Sequence, residues 1–226
     1  MTQKLQSTVA IPNDYDLCAI SDTNAKAYIH ANHYSHGSHG GPSPCYGLYQ
    51  GVGGLFGERE LLGVIMFATP CSENVRISVF GKDFVKTVTE LHRLHLSDKT
   101  PRNTESWVIS RALRLLSVDR PNIRAVISFA DPTQGHVGTI YQAANALYYG
   151  ASETKRFWVD EQGRLRHPRQ NGRNVDGSAL GWVSTLRQGK HRYLWLIGNK
   201  RVKKESQQRL KLQCHLYPSA LVSPTP

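Results

Sequence analysis

No stretch of this 226-residue sequence approaches the roughly 20 consecutive apolar residues that a membrane-spanning helix needs. The opening segment, MTQKLQSTVA, also lacks the apolar core of a secretory signal. These two absences argue against a membrane protein and against a secreted one. We therefore expect a cytoplasmic protein with no membrane partner.

Cysteine is scarce as well, since the chain has only four, at positions 18, 45, 71 and 214. They are far apart and form no CxxC pair, which argues against a disulfide framework and against a cysteine-rich zinc site. Free thiols are expected. The glycines of GVGGLFG are followed neither by GK[ST] nor by a helical pattern, so they indicate strand irregularities rather than a nucleotide-binding loop.

Residues 1–154 lack net charge, because 13 Lys and Arg balance 13 Asp and Glu. Residues 155–226 have 15 Lys and Arg against 4 Asp and Glu, and so hold the whole net charge of +11. A concentrated positive end favours a polyanionic partner, since Lys and Arg displace counterions condensed on phosphates. A basic surface with no such partner is the alternative. The length fits one domain, 1–226, with a basic region at about 155–211 and a loose tail at about 218–226.

The segment from Ala125 to Gly150, AVISFADPTQGHVGTIYQAANALYYG, predicts a strand, a polar turn and a helix that ends at Gly150. Asp131 falls at the end of the strand, and Tyr141 falls about two turns into the helix. Ligands of open α/β sheets gather at the carboxyl ends of strands, so Asp131 is a candidate catalytic carboxylate. It is equally a candidate helix cap. Tyr141 is a candidate proton donor, with packing as the alternative.

Most of the remaining chain predicts further strands and helices. Residues 13–34 begin polar and then predict a helix, and the histidines at 30, 33, 36 and 39 suit either a transition metal or a polar loop. Residues 45–68 predict a hairpin, VRISVFG a short edge strand and VTELHRLHLSD a period-two strand. TKRFWVD and KHRYLWLIG predict later strands, and NKRVKKESQQRLKLQ predicts a basic helix.

KTPRNTESWVISRALRLL predicts a loop that enters an amphipathic helix. Asn103 or Thr104 can cap this helix. The unpaired amides of its first turn, beside Lys99 and Arg102, form a natural pyrophosphate site. An ordinary capped helix is the alternative.

The predicted order is a helix, hairpin strands, a strand entering a helix through a polar loop, a second strand-helix unit and closing strands. This order resembles the acyltransferase fold of the GNAT superfamily, whose mixed sheet is splayed open to admit an acyl carrier. The resemblance implies an α/β fold, with a mixed, splayed β-sheet flanked by helices. The usual pyrophosphate signature of that superfamily, Gln/Arg-x-x-Gly-x-Gly/Ala, is missing, and PRNTESW occupies its place. The identity of the acyl donor is therefore open.

Four segments, NHYSHG, ELHRLHLSD, PRNTESWVISRALRLL and ISFADPTQGHVGTIYQAANALYYGAS, resemble the Mom family of phage DNA-modification proteins. The likeness runs over most of residues 30–200. It implies conversion of adenine in phage DNA to a carbamoylmethyl (acetamido) derivative on the exocyclic amine, which blocks host restriction enzymes. It also implies an acyl-CoA donor, bound iron and action in the host cytoplasm. The motif positions of the family fall on His33, Tyr34, Arg93, Ser110, Asp131 and Tyr141.

Under this resemblance Asp131 is the expected base toward the adenine amine, and Tyr141 is the expected acid toward the leaving group. His33, Tyr34 and Ser110 complete the expected catalytic set, and His33 and Tyr34 are the expected metal ligands. The donor is expected to contact two groups of residues, namely Arg93, Leu94, His95 and Leu96, and Arg102, Asn103, Thr104, Glu105 and Ser106. Acetyl transfer alone gives N–CO–CH3 rather than N–CH2–CO–NH2. Acetyl-CoA with metal chemistry and glycyl-tRNA with rearrangement therefore both stay open.

Double-stranded DNA is the expected partner. Its phosphates are expected to contact Arg164, Arg166, Arg169, Arg173, Lys200, Arg201, Lys203 and Lys204. Adenine must leave the stack before it reacts, so aromatic residues are expected near the pocket, or else in the core: Tyr34, Tyr46, Tyr49 and Trp107. Two other functions stay open, a basic DNA-binding protein without chemistry and an acetyltransferase acting on a protein or small molecule.

Overall fold

The computed structural model describes residues 11–33, 37, 41, 43–51, 59–70, 72–166 and 181–218. The predicted loose tail beyond Pro218 and the GVGGLFG glycines beyond Gly51 lie outside these residues. The strands are β1 (Tyr15–Ala19), β2 (Cys45–Gln50), β3 (Glu60–Ala68), β4 (Val88–Leu96), β5 (Ala125–Ala130), β6 (Leu147–Ala151), β7 (Lys155–Val159), β8 (Leu165–Arg166), β9 (Val183–Arg187) and β10 (His191–Leu196). The α-helices are α1 (Asp22–Asn32), α2 (Glu73–Phe80), α3 (Thr104–Asp119), α4 (Thr139–Ala143) and α5 (Lys200–Arg209). None of these described helices is long and apolar enough to cross a membrane.

Seven strands form one mixed sheet in the order β1-β2-β3-β4-β5-β10-β6. Its neighbouring strands are antiparallel except for β4 and β5, which are parallel. A parallel pair needs a crossover connection, and α3 supplies it between these two strands. The predicted mixed sheet flanked by helices is confirmed.

The parallel pairing of β4 with β5 is short. Residues 88–90 pair with residues 125–127, and along these two described strands no further backbone pair follows. Beyond that point the hydroxyl of Ser128 donates to the carbonyl oxygen of Leu91 at 3.1 Å. The sheet therefore splays open toward the carboxyl ends of β4 and β5, as predicted.

Helices cover both faces of the sheet. The main core lies under α3 and α4, where Ile109 and Leu116 meet strand residues such as Phe67 and Trp195. Ile29 of α1 packs on the opposite face, and α2 covers that same face beside β4 and β5. Full burial of each such side chain contributes about 1.5–3 kcal/mol to folding.

β4 contains a β-bulge. Leu91 pairs with Phe67 of β3 and Arg93 pairs with Met66, so His92 has no partner across this strand pair. The extra residue turns the later side chains to the other face. The strict alternation predicted for this strand is therefore wrong, since the leucines at positions 91, 94 and 96 all pack against the main core.

The segment VRISVFG, predicted as an edge strand, lies in α2. Its β-branched residues favour a strand, but a strand at this point of the chain would have to pair between β3 and β4. These two strands pair directly with each other, so the segment forms a helix instead. Ser72 precedes the helix, and Gly81, at φ 100°, ends it. Val79 and Phe80 are buried against the sheet.

The helix predicted after Asp131 is much shorter than expected. The chain makes a 3₁₀ turn (Pro132–Gln134) and then the short α4, whereas Gly150 lies within strand β6. Left-handed residues, Gly138 at φ 78° and Asn145 at φ 56°, lie on either side of α4. LYYGA pairs with β10 instead of continuing the helix, so tertiary pairing overrides the helical periodicity of this segment.

A second sheet, with three strands in the order β8-β7-β9, lies in the chain between β6 and β10. β7 was predicted, whereas β9, with the sequence VSTLR, was not. We call residues 152–190 the insertion. It begins and ends at one point, because the amide of Ser152 donates to the Lys190 carbonyl at 2.9 Å and the amide of Lys190 donates to the Ser152 hydroxyl at 2.9 Å.

Candidate functional site

Asp131 lies at the open end of the sheet, directly after β5. Its carboxylate accepts hydrogen bonds from the Thr133 amide at 3.1 Å and from the Thr133 hydroxyl at 2.6 Å. It also pairs with the guanidinium of Arg187 at 3.1 Å and with the ammonium of Lys190 at 3.6 Å. The carboxylate is thus observed as the cap of the 3₁₀ turn, with two cations beside it.

These contacts decide the charge of Asp131. Burial alone raises the pKa of this carboxyl, but the hydrogen bonds from Thr133 and the charges of Lys190 and Arg187 outweigh it, so the pKa lies below its ordinary value. The carboxylate is therefore ionised at neutral pH. The same contacts weaken it as a proton acceptor, because they stabilise its charged form. The catalytic role of Asp131 stays a prediction.

Arg187, at the end of β9, joins the insertion to the loop after β5. Besides Asp131, its guanidinium donates to the hydroxyl of Thr133 at 2.6 Å and lies 5.8 Å from the ring centroid of Phe157. The loop that holds Asp131 is therefore fixed by a strand distant in the sequence.

Tyr141 lies on α4 and packs against the main core. Its ring centroid is 5.3 Å from that of Tyr193 and 5.6 Å from that of Trp195, distances typical of edge-to-face aromatic pairs. The packing alternative is thus observed. Its role as a proton donor stays a prediction.

His191 begins β10 at the same end of the sheet as Asp131. It pairs in register with Ala130, the residue before Asp131, and with Ala151 of β6. Its Nδ1 shares a hydrogen bond of 2.9 Å with the hydroxyl of Tyr148. Half-burial of the ring lowers the pKa of His191, so the imidazole is neutral at physiological pH.

The four predicted donor contacts on β4 border the splay. Arg93, Leu94, His95 and Leu96 end the strand, beyond its pairing with β5. Their backbone pairs with β3 on one edge, so the groups on the other edge point toward the splay. The guanidinium of Arg93 is engaged, since its Nε donates to the carbonyl of Gly37 at 2.8 Å.

The start of α3 contains the other predicted donor contacts, Arg102, Asn103, Thr104, Glu105 and Ser106. Asn103 is at the N-cap position with φ 70°, but its side chain makes no capping bond, and the Thr104 hydroxyl donates to the carbonyl of Pro101 at 2.6 Å. The predicted cap position is therefore confirmed at Asn103, but the expected side-chain hydrogen bond to the helix is not made. The amide of Thr104 donates to the carbonyl of Pro101 at 3.2 Å, whereas among the described residues the amides of Glu105 and Ser106 remain available to an anion.

His33, a predicted catalytic and metal-binding residue, is buried at the end of α1. Its ring centroid lies 6.4 Å from that of His95, whose Nδ1 is buried without a hydrogen-bond partner in the described part of the chain. The described residues contain no group of three or more His, Cys, Asp or Glu side chains suited to a metal ion. Tyr34, the other predicted ligand, lies outside them, as do His36 and His39. The described residues therefore do not form an iron site.

Ser110, the remaining predicted catalytic residue, lies in the middle of α3. Its hydroxyl donates to the carbonyl of Ser106 at 2.8 Å. It lines a cavity of about 260 Å³ between α3, β10 and α5, together with Arg114 and Lys203. Ser110 is thus at a cavity separate from the contacts of Asp131.

The aromatic residues proposed for an unstacked base have other surroundings. Tyr46 is buried in the main core, and its hydroxyl donates to Asp119 at 2.7 Å. Tyr49 lies 4.7 Å from the guanidinium of Arg59, and Trp107 packs against the main core. Tyr34 lies outside the described residues. Core packing therefore accounts for the positions of at least Tyr46 and Trp107.

The predicted DNA contacts fall in separate places. Arg164 and Arg166 of the insertion pair with Asp160 at 2.8 and 2.6 Å. The α5 residues follow β10 at the end of the sheet opposite Asp131, since Leu196 pairs with Ala125. They are Lys200, Arg201, Lys203 and Lys204, whereas Arg169 and Arg173 lie outside the described residues.

The sequence interpretation missed Arg187, Lys190 and His191. A signal was present, because Lys190 and His191 begin the segment KHRYLWLIG and Arg187 lies three positions before it. Nothing local identified their partner, since Asp131 lies 56 positions before Arg187. Lys155 and Arg156, both exposed on β7, were also not singled out.

The fold and this cluster define a mixed α/β protein whose split sheet has a charged, hydrogen-bonded group at its open end. In such sheets ligands bind beyond the carboxyl ends of the strands. A model of the Mom protein family matches residues 14–219, and the chain belongs to that family.

Methylcarbamoylase mom of Escherichia phage Mu is 35% identical over 107 residues, which are 47% of this chain and 44% of that protein. The match therefore spans less than half of that relative. Spermidine N-acetyltransferase from Vibrio cholerae, solved in complex with CoA and spermine, has a TM-score of 0.46 and 10% identity over 82% of this chain and 97% of that one. A putative phosphinothricin N-acetyltransferase has a TM-score of 0.42 and 12% identity over 82% of this chain and 99% of that one.

Proposed function

We propose that the chain is a transferase that converts adenine in double-stranded DNA to its carbamoylmethyl derivative on the exocyclic amine. Membership of the Mom family over residues 14–219 is the observation behind this proposal. The similarity to methylcarbamoylase mom of Escherichia phage Mu supports it. In this role the enzyme acts in the host cytoplasm and protects phage DNA from host restriction enzymes.

The splay between β4 and β5 is the proposed site of the acyl donor. The free edge of β4 offers amides that can polarise a carbonyl, and the uncapped start of α3 offers amides to a phosphate group of the carrier. Acetyl-CoA and glycyl-tRNA both carry such phosphates. A glycyl group supplies two carbons and the nitrogen of N–CH2–CO–NH2, with a rearrangement after transfer, whereas an acetyl group needs the nitrogen from elsewhere. Isotope labelling of glycine and of acetate distinguishes the two donors.

The acceptor adenine is proposed to bind at the open end of the sheet, beside the loop of Asp131. The exocyclic amine is a poor nucleophile because its lone pair is delocalised into the ring, so it must lose a proton as it attacks. Asp131 is proposed to face this amine, as a hydrogen-bond acceptor or as the predicted base. Tyr141 is proposed to protonate the leaving group.

The insertion is the proposed main DNA-binding surface, because it lies next to Asp131. Lys155 and Arg156 are exposed on β7, and neither has an ion pair among the described residues. The α5 cations are further away, since the five-residue step from His191 to Leu196 along β10 spans roughly 17 Å.

The activity is tested by mass spectrometry of nucleosides from plasmid DNA co-expressed with the chain. We expect a carbamoylmethyl-adenine nucleoside with the wild-type chain and none with an empty vector. Unmodified adenine in both samples would contradict the proposal. Salt-sensitive DNA binding without any altered base would instead identify a DNA-binding protein without chemistry.

The binding surface is tested with two matched double variants. Lys155→Gln with Arg156→Gln is expected to weaken binding to duplex DNA of any sequence and to reduce the slope of log K against log salt by about 2. Lys200→Gln with Lys204→Gln removes the same charge from α5 and is expected to have a smaller effect. Equal losses in the two double variants would reject the assignment to the insertion.

A further inference from the structure

His191 is partly exposed at the open end of the sheet. Residues in register on neighbouring antiparallel strands share a face of the sheet, so the imidazole stands between the methyl groups of Ala130 and Ala151. Side chains this small add little bulk beside the ring, whose nearest aromatic neighbour among the described residues is Tyr148, at 5.7 Å between ring centroids. Asp131 directly follows Ala130, so the imidazole borders the same open end of the sheet.

The hydrogen bonding of His191 suits a proton acceptor. Its Nδ1 is bound to the Tyr148 hydroxyl at 2.9 Å, whereas its Nε2 has no hydrogen-bond partner in the described part of the chain. When Nδ1 carries the proton and donates it to the tyrosine oxygen, Nε2 presents a lone pair. Tyr148 is buried and therefore fixes the orientation of the ring.

The hydrogen bonding of Asp131, in contrast, does not suit a proton acceptor. Its two carboxylate oxygens are contacted by Thr133, Arg187 and Lys190, and all three favour the ionised form. A carboxylate with these contacts organises a loop well but takes up a proton poorly. Of the two groups, the imidazole is the one with an unoccupied acceptor atom.

We propose that His191 is the catalytic residue that accepts the proton from the exocyclic amine of adenine, with Tyr148 orienting it. The inference rests on the proposed adenine-modifying activity. As the amine nitrogen forms a bond to the electrophilic carbon of the donor, its N–H bond breaks and the proton passes to Nε2. The bond between that carbon and the leaving group breaks, and the leaving group takes the electron pair.

The first test compares His191→Gln with His215→Gln. Both variants remove an imidazole near Tyr148, since the ring centroid of His215 lies 6.4 Å from that of Tyr148. In clarified extract with added unmodified duplex DNA, His191→Gln is expected to lower the initial rate of adenine modification at least about 100-fold with unchanged DNA affinity. His215→Gln is expected to retain the wild-type rate. A rate for His191→Gln within about threefold of the wild-type rate would overturn the assignment.

A second test remains informative if the glutamine variant folds poorly. His191→Ala is assayed with and without added imidazole, and imidazole is expected to restore a concentration-dependent part of the lost rate. A folded His191→Ala protein that imidazole never rescues would also overturn the proposal. A wild-type chain that produces no modified adenine removes the proposed function itself, whereas an active wild type with an equally active His191→Gln removes only this inference.

Discussion

The ion pair between Arg187 and Asp131 provides a quantitative test of how the insertion is attached to the main sheet. The Asp131 side chain is 12% exposed and the Arg187 side chain 27% exposed, so the pair is neither fully buried nor freely solvated. Exposed pairs couple by about 0.2–1 kcal/mol, and hydrogen bonds to charged groups contribute about 1.5–3 kcal/mol. We therefore expect a coupling of about 1–2 kcal/mol, between these limits.

The assay is a double-mutant cycle with Asp131→Asn and Arg187→Gln, read out by urea unfolding of the four proteins. Asp131→Asn retains an acceptor for the Thr133 amide, so the cycle isolates the charge interaction. A parallel cycle with Lys190→Gln is the control, and it should give at most about 0.5 kcal/mol because Lys190 is half exposed and more distant. A coupling for Arg187 no larger than that for Lys190 would refute the reasoning.

The pH dependence of this coupling follows from the lowered pKa of Asp131. A carboxyl whose pKa is lower in the folded than in the unfolded state contributes stability above its unfolded pKa, and the contribution is lost as the pH falls through the folded value. The coupling should therefore be the same at pH 7 and pH 5 and should decline only below about pH 4. A decline between pH 7 and pH 5 would contradict the lowered pKa.

Three further predictions concern stability and are measured by urea unfolding. Gly189→Ala is expected to cost at least about 2 kcal/mol, because a Cβ there would lie 1.6 Å from a backbone carbonyl oxygen, whereas Gly163→Ala has open space and should cost about 1–2 kcal/mol for its φ of +73°. Ile109→Ala, at a fully buried site of α3, is expected to cost about 2–5 kcal/mol, while Val118→Ala on the same helix, 77% exposed, should stay within about 0.5 kcal/mol. Trp195→Phe removes a buried indole hydrogen bond of 2.9 Å and is expected to cost about 1–3 kcal/mol, and equal stability of variant and wild type would contradict that role.

The elements that the sequence predicts correctly are those with a strong local pattern. β5 and β10 are runs of β-formers, and α3 has an apolar stripe at helical spacing. The wrong elements depend on pairing that no local pattern records. α2 contains strand-forming residues but has no free edge to join, and β6 has helical spacing but meets the edge of β10.

The residues of the candidate site were also predictable only where a local pattern marks them. The position of Asp131 directly after β5 was predicted correctly, because a carboxylate at a strand end is a local feature. Arg187 and His191 were not found, because they reach the site from strands far along the chain. The bulge at His92 was also invisible, since it depends on the register with β3.

The closed base of the insertion has a consequence for how independent the insertion is of the main sheet. Because Ser152 and Lys190 are joined by two hydrogen bonds, the two ends of the insertion are already held at the spacing of a tight turn. A short hairpin between Ala151 and His191 would therefore leave their register intact, so the insertion could be replaced without rebuilding the seven-stranded sheet. Under the proposed function, changes confined to the insertion would alter DNA binding while the contact of Arg187 with Asp131 continues to hold the insertion beside the open end of the sheet.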